Sequence, residues 1–256
     1  MNDCTVFVGL DYHEDVVQVC VLDDHGDLLG ERRIPNDHRR VVSFVNRFGR
    51  QAHVAVEVCT GSAALADVLV NEAGWIVDLA HPGYVRRLKR SPDKSDQSDA
   101  RLLADLVRVG YLPSVWLAPP VIRELREMIR YRQQVTNEIR CAKLRIGAML
   151  RSHRCGRGPA SRWTNVWNQW VQQEANLPRS TRWIVQRHYR RMAQLQKERA
   201  MVEHQLSSMT KNDPMVASLQ SFCGIGPVTA WTIRAEIGRF DRFRSGKQLA
   251  RKPTQA

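Results

Sequence analysis

Val6-Phe7-Val8-Gly9-Leu10-Asp11, a polar turn, and then Val16-Val17-Gln18-Val19-Cys20-Val21-Leu22 decide how the first part of this chain is read. Both runs are short, apolar and rich in β-branched residues, as buried strands are. Asp24-His25-Gly26-Asp27 supplies the turn residues of a hairpin that leads through Leu28-Leu29 to Ile34. Asn36-Asp37 can cap a helix carrying Val41, Val42, Phe44 and Val45. The alternation continues with a strand over 53–57, a helix over 63–70 and a strand over 75–79. An antiparallel meander followed by βαβ units predicts an α/β fold, a mixed sheet flanked by helices. That domain is expected to end near Tyr111-Leu112-Pro113.

Two of these strands end in a carboxylate, Asp11 and Glu57, and two more aspartates follow in Lys94-Ser95-Asp96-Gln97-Ser98-Asp99-Ala100. A carboxylate closing a buried run is costly unless something positive meets it. Asp96 and Asp99 are three apart, so on a helix they share a face. Each acid alone has an ordinary reading: Asp11 as a turn former, Asp96 and Asp99 as first-turn acids favoured by the helix dipole. Together they form an oxygen-rich cage for a hard divalent cation such as Mg²⁺. Two such ions about 4 Å apart stabilise the attacking and leaving oxygens of a phosphodiester displacement.

The composition points to the same substrate class. The chain has 256 residues and a formal net charge of +13, a field that concentrates polyanions. No apolar run approaches the ~18 residues of a membrane-spanning helix. The start, Met1-Asn2-Asp3-Cys4, does not read as a signal peptide, so a cytoplasmic, nucleoid-associated protein is expected. The six cysteines form no Cys-x-x-Cys pair and read as reduced thiols, not as a zinc site.

The middle of the chain is helical and basic. Ile122, Leu125, Ile129, Ile139, Ile146 and Leu150 form one apolar stripe, with Arg123, Arg126, Arg130, Arg140, Lys143 and Arg145 around it. A second stripe runs through Val185, Met192, Leu195, Val202, Leu206 and Met209. Such seams predict an antiparallel helical hairpin or a dimerising coiled coil. The stretch 152–178 between them reads as a loop; its Trp163, Trp167 and Trp170 pack in a core or stack on nucleic acid, with core packing favoured. Further on, Gly224-Ile225-Gly226-Pro227 followed by Thr229 reads as a glycine turn opening a helix, where backbone amides can meet a phosphate. An ordinary αα-turn is the plain alternative. Ile233, Ile237 and Phe240 are expected to continue the packed face.

Taken together, Gly9-Leu10-Asp11, Glu57 with Thr60-Gly61, Lys94 to Ala100, Gly224 to Ala230 and Glu236 to Phe240 make the chain resemble the DEDD-type bacterial insertion-sequence transposases of the IS110 family. The resemblance implies a RuvC-like (ribonuclease-H-like) domain over 1–113, a basic helical coiled-coil region over 114–212, and a transposase domain with a helix-hairpin-helix over 213–256. It implies Asp11, Glu57, Asp96 and Asp99 as catalytic Mg²⁺ ligands, acting with a serine nucleophile in the C-terminal domain. Arg123, Arg126, Arg130, Arg140, Lys143, Gly224, Gly226 and Thr229 are the expected nucleic-acid contacts. The implied partners are element and target DNA, a structured guide RNA, and a second copy of the chain through the helical region. In the family the serine lies beyond the helix-hairpin-helix, where this sequence has Arg251-Lys252-Pro253-Thr254-Gln255-Ala256, and Ser245 falls too early in the pattern. A truncated or frameshifted transposase without its serine, and inactive for full strand exchange, is therefore the expectation. A RuvC-like junction nuclease and a non-catalytic nucleic-acid-binding remnant are the alternatives.

Overall fold

The computed structural model describes residues 5–88 and 96–250, apart from the side chains of Tyr84 and Ala250. It falls into two compact units, 1–117 and 118–256.

In the first unit the strands are β1 (Thr5–Tyr12), β2 (Val16–Leu22), β3 (Leu28–Pro35), β4 (Gln51–Glu57), β5 (Ile76–Ala80) and β6 (Ser114–Val115). Between them lie α1 (His38–Val45), α2 (Ser62–Ala73), α3 (Pro82–Leu88) and α4 (Asp96–Arg108). The sheet order is β3-β2-β1-β4-β5-β6. β1, β2 and β3 pair antiparallel, β1-β4 and β4-β5 parallel, and β6 antiparallel to β5. This is the expected mixed sheet. Alternate residues divide its two faces. Val6, Val8, Leu10, Val19, Val54 and Val56 pack under Val41 and Val45 of α1 and Leu65 and Leu69 of α2. The opposite face, with Phe7, Ala55, Ala80, Cys20 and Leu22, lies under Ala100, Leu103, Ala104 and Val107 of α4.

Gly9 explains how α4 comes so close. A Cβ there would overlap the carbonyl oxygen of Ala100 and lie 2.6 Å from the amide nitrogen of Ala104. The bare backbone lets the helix rest on β1, and so brings its first turn to the end of that strand.

Several local expectations are corrected. Asp37 alone caps α1, accepting from the Arg39 amide at 2.9 Å. Asn36 instead holds the β1–β2 turn, donating to the carbonyls of His13 and Glu14. Trp75 precedes β5; its indole donates to the Arg50 carbonyl at 3.3 Å.

The second unit is helical: α5 (Pro120–Ser152), α6 (Asn165–Gln173), α7 (Arg179–Met209), α8 (Pro214–Gln220), α9 (Pro227–Ile237) and α10 (Gly246–Ala250). α5 and α7 run antiparallel within the chain, crossed by Tyr131–Glu198 at 3.0 Å, Arg132–Glu203 at 2.7 Å and Arg191–Glu138 at 2.7 Å. Most of both predicted stripes is buried in this pairing; Met209 is exposed.

The stretch read as a loop contains α6, whose N-cap Thr164 accepts from the Trp167 amide. Its tryptophans are core. Trp167 is 1% exposed, its ring lies 4.8 Å from Trp163 and 6.4 Å from Trp170, and its indole donates to the Arg157 carbonyl. Trp167→Ala is expected to cost about 3–5 kcal/mol by urea unfolding, the range for a fully buried aromatic. A loss below ~1 kcal/mol would return the tryptophans to a surface role.

α9 also packs differently from the expectation. Ala230, Trp231 and Ala235 are its buried residues, whereas Phe240 is 36% exposed. Small alanines let α9 approach α5 and α7 closely enough to seat Trp231.

Candidate metal centre

The last residues paired between β1 and β4 are Leu10 and Val56, so Asp11 and Glu57 follow side by side on the α4 face, Asp11 still paired with Gln18 of β2 and Glu57 with Ala80 of β5. A tight loop follows Glu57. The Val58 amide donates to the Ala80 carbonyl, the Ser62 hydroxyl bridges the amide and carbonyl of Cys59, and Gly61 adopts φ +91°. That positive φ favours glycine, and a Cβ there would strike the Tyr12 hydroxyl. Residue Gly61 thus fixes the chain just past both strand ends.

Asp96 and Asp99 occupy the first turn of α4, three residues apart and so on one helical face. Asp99 is buried, 7% exposed. The carboxylate of Asp11 is 15% exposed and Oδ2 lies 3.2 Å from Nε2 of His13, which also lies 3.7 Å from Oδ1 of Asp96. One ligand atom from each of Asp11, His13 and Asp96 falls within 4.8 Å of the others. Burial raises the Asp11 pKa; His13 pulls it down, while the charges of Asp96 and Asp99 push it up. Anions gathered this way repel one another, and a bound cation relieves that repulsion. The donor set is mainly hard carboxylate oxygen, which fits Mg²⁺ or Mn²⁺.

The sequence reading named Asp11 and Asp96, which the structure brings into one cluster, and Asp99, whose charge acts on Asp11. Glu57 lies on the same face at the end of the neighbouring strand; the cluster of ligand atoms itself comprises Asp11, His13 and Asp96. His13 was missed. Its signal was the spacing Asp11-Tyr12-His13, which returns a side chain to the same side of an extended segment. Lys94, Ser95 and the stretch 251–256 lie outside the described residues.

The expected nucleic-acid contacts are spread over the second unit. Arg130 and Arg140 are exposed on α5. Lys143 sits 5.0 Å above the Trp163 ring. Arg123 donates to the Ala118 carbonyl at 3.0 Å, and Arg126 donates to the carbonyls of Ala235 and Glu236 at 2.7 and 3.3 Å. Both are thus tied to backbone oxygens, Arg126 at the carboxyl end of α9. Gly224 has φ +86°, Gly226 is the N-cap of α9, and Thr229 is exposed in its first turn. Asp213 joins the two helices around this turn: it caps α8 and pairs with Arg234 of α9 at 2.6 Å.

Residues 8–154 match the family model for the DEDD-type IS110 proteins, described as transposase, and residues 216–251 match that of the transposase IS116/IS110/IS902 family. Among curated sequences, the chain is 25% identical to a probable family 20 transposase of Pseudomonas aeruginosa, over 95% of this chain and 71% of that protein. It is 21% identical to the transposase for insertion sequence element IS1111A of Coxiella burnetii, over 98% of this chain and 68% of that one. Across the matched relatives the chain spans 38% to 71% of their own lengths. Among solved structures, T. thermophilus RuvC in complex with Holliday junction substrate aligns at TM-score 0.34 and 16% identity, over 43% of this chain and 99% of that one.

Proposed function

We propose, from the premise that this chain belongs to the DEDD-type IS110 family of insertion-sequence transposases, that its first unit is the Mg²⁺-dependent DNA-cleaving half of a transposase. The observation that carries this reading is the cluster of Asp11 and Asp96 with His13. Asp11 and Glu57 lie near the ends of neighbouring parallel strands, and Asp96 and Asp99 are in the first turn of the helix over them. The sheet order, a three-strand meander continued by parallel strands, supports a RuvC-like assignment for this unit.

Asp11, Glu57, Asp96 and Asp99 would hold the ion. When bound it supplies Lewis-acid stabilisation of the charge that develops on phosphodiester oxygens. His13 orients the Asp11 carboxylate through its ring nitrogen, as an outer partner of a ligand does. Asp99, on the buried side of α4, fixes one wall. The serine half of the reaction is assigned to no residue of the described chain. Titration of Mn²⁺ into the full chain by calorimetry is expected to show binding that Asp96→Asn or Asp99→Asn weakens at least tenfold, ~1.4 kcal/mol. A wild-type chain that binds no divalent cation overturns the reading.

The proposed partners are element and target DNA, which the net charge of +13 and the family support, with a structured guide RNA and a second copy of the chain. The exposed arginines of α5 and the amides at the start of α9 are the proposed backbone contacts. Arg130→Ala and Arg140→Ala are each expected to weaken binding uniformly across sequences and lower the salt slope by about 1. Arg126→Ala is expected to behave differently. It removes charge-assisted hydrogen bonds to the end of α9 and should cost about 1.5–3 kcal/mol of stability. Salt titrations of anisotropy and urea unfolding separate the two effects; an unchanged slope in both exposed variants makes those arginines a solvated face.

A further inference from the structure

The cross-strand register of the first unit aligns side chains on the α4 face of the sheet. Arg33 of β3 pairs with Gln18 of β2, and Gln18 pairs with Asp11 of β1. Strands lie about 4.8 Å apart, so the backbone of Arg33 is about 10 Å from that of Asp11. Gln18 between them is buried, 4% exposed, and its amide donates to Glu31 at 3.3 Å. Beside this row runs a groove of about 550 Å³, lined by Gln18, Glu31, Arg32, Arg33, Asp96 and Gln97. One carboxylate of the metal cluster and Arg33 therefore line a single groove, while Arg32, opposite Val19 in the register, belongs to the other face of the sheet. Arg33 is exposed and, among the described residues, makes no ion pair.

We propose that Arg33 anchors a phosphate of the nucleic-acid strand whose backbone crosses the Asp11–Asp96 cluster. The inference rests on the metal-site reading and adds the direction in which the strand runs: from the cluster toward β3, the edge of the sheet. A planar guanidinium presents a fork of donors that matches phosphate oxygens, and it carries its charge at every working pH. Glu31, the acid of the groove besides Asp96, is engaged by the Gln18 amide. Positive charge continues around the edge: Arg32 also lines a second groove of about 310 Å³ that holds Arg39, Arg40 and Arg47. Charge placed on an edge strand only to block sheet pairing needs no alignment with a carboxylate cluster. Here the register supplies that alignment.

The test uses the full chain, a fluorescein-labelled 30-base-pair DNA duplex of arbitrary sequence, and the matching RNA duplex. Arg33→Ala is expected to lower the salt slope of binding by about 1 and to leave Mn²⁺ affinity by calorimetry unchanged. In Mg²⁺-dependent nicking of the DNA duplex, KM should rise several-fold while kcat holds, and Arg33→Lys should restore most of the slope. A slope change on one duplex only identifies the sugar of the bound strand. An Arg33→Ala chain with unaltered slope and KM overturns the proposal and leaves Arg33 as edge-strand charge. Loss of Mn²⁺ binding in Arg33→Ala also overturns it, because the residue would then act through the cluster. A slope change persisting in a chain where Asp11→Asn leaves Mn²⁺ binding intact would sink the metal reading and spare the phosphate anchor.

Discussion

Asp11→Asn is expected to abolish Mg²⁺-dependent strand cleavage while leaving the fold and most of the nucleic-acid affinity in place. The change keeps the shape of the side chain and removes one negative charge from the centre of the cluster. Weakened ion binding forfeits several kcal/mol of charge stabilisation at the reacting phosphate; ~4 kcal/mol corresponds to about 10³-fold in rate. Stability should hold or rise slightly. Burial and the charges of Asp96 and Asp99 raise the Asp11 pKa in the folded protein, which means that the ionised form is disfavoured there. Between the ordinary aspartate value of 3.8 and the raised one, the folded state binds more protons than the unfolded state. This carboxyl's contribution to the metal-free chain therefore declines as pH rises through that window, and asparagine removes the effect. The measurements are gel-based cleavage with Mg²⁺ and urea unfolding at neutral pH. A variant that still cleaves within tenfold of wild type would show that Asp11 is no ligand.

Gly9→Ala is expected to have the largest effect on stability in the first unit, although it adds a single methyl group. That methyl meets the backbone of α4 at Ala100 and Ala104, not side chains that could rotate away. The helix must back off from β1, and the overpacking should cost about 3 kcal/mol or more. Because the first turn of α4 carries Asp96 and Asp99, the same displacement should weaken Mn²⁺ binding in whatever fraction remains folded. Hydrogen exchange at the α4 amides and calorimetry on one sample read both consequences. Unchanged exchange with unchanged affinity would mean that α4 accommodates the methyl without moving.

Much of this arrangement was legible in the residues. β1 and β2 announce themselves because Val6 to Leu10 and Val16 to Leu22 are nearly continuous apolar runs, buried as a sheet centre requires. Glu57 stood out because a charge directly after such a run is hard to explain otherwise, whereas Asp11 alone reads as a turn former and gains its meaning from the other acids. Elements with weak patterns were less visible. α6 is assembled from asparagine, glutamine and tryptophan, and β6 is two residues long, too short for any periodicity. On α9 the largest aliphatic residues looked like the packed face, yet close approach of helices selected the alanines. Arg33 could not have been connected with Asp11 by spacing along the chain. Only the antiparallel register of three strands sets them in one row.

The helical hairpin of the second unit can finally be regarded as a measuring rod. Its two apolar cores lie toward opposite ends of α5: Leu125 belongs to the one with Trp231, and Leu150 to the one with Trp167. At 1.5 Å per residue roughly 37 Å of helix separates them. A rotation of about 10° pivoting at one core sweeps the other through roughly 6 Å, close to two base-pair rises of B-form DNA. An angular change of that size would therefore shift a strand held at the far end by about two nucleotides relative to anything gripped at the near end.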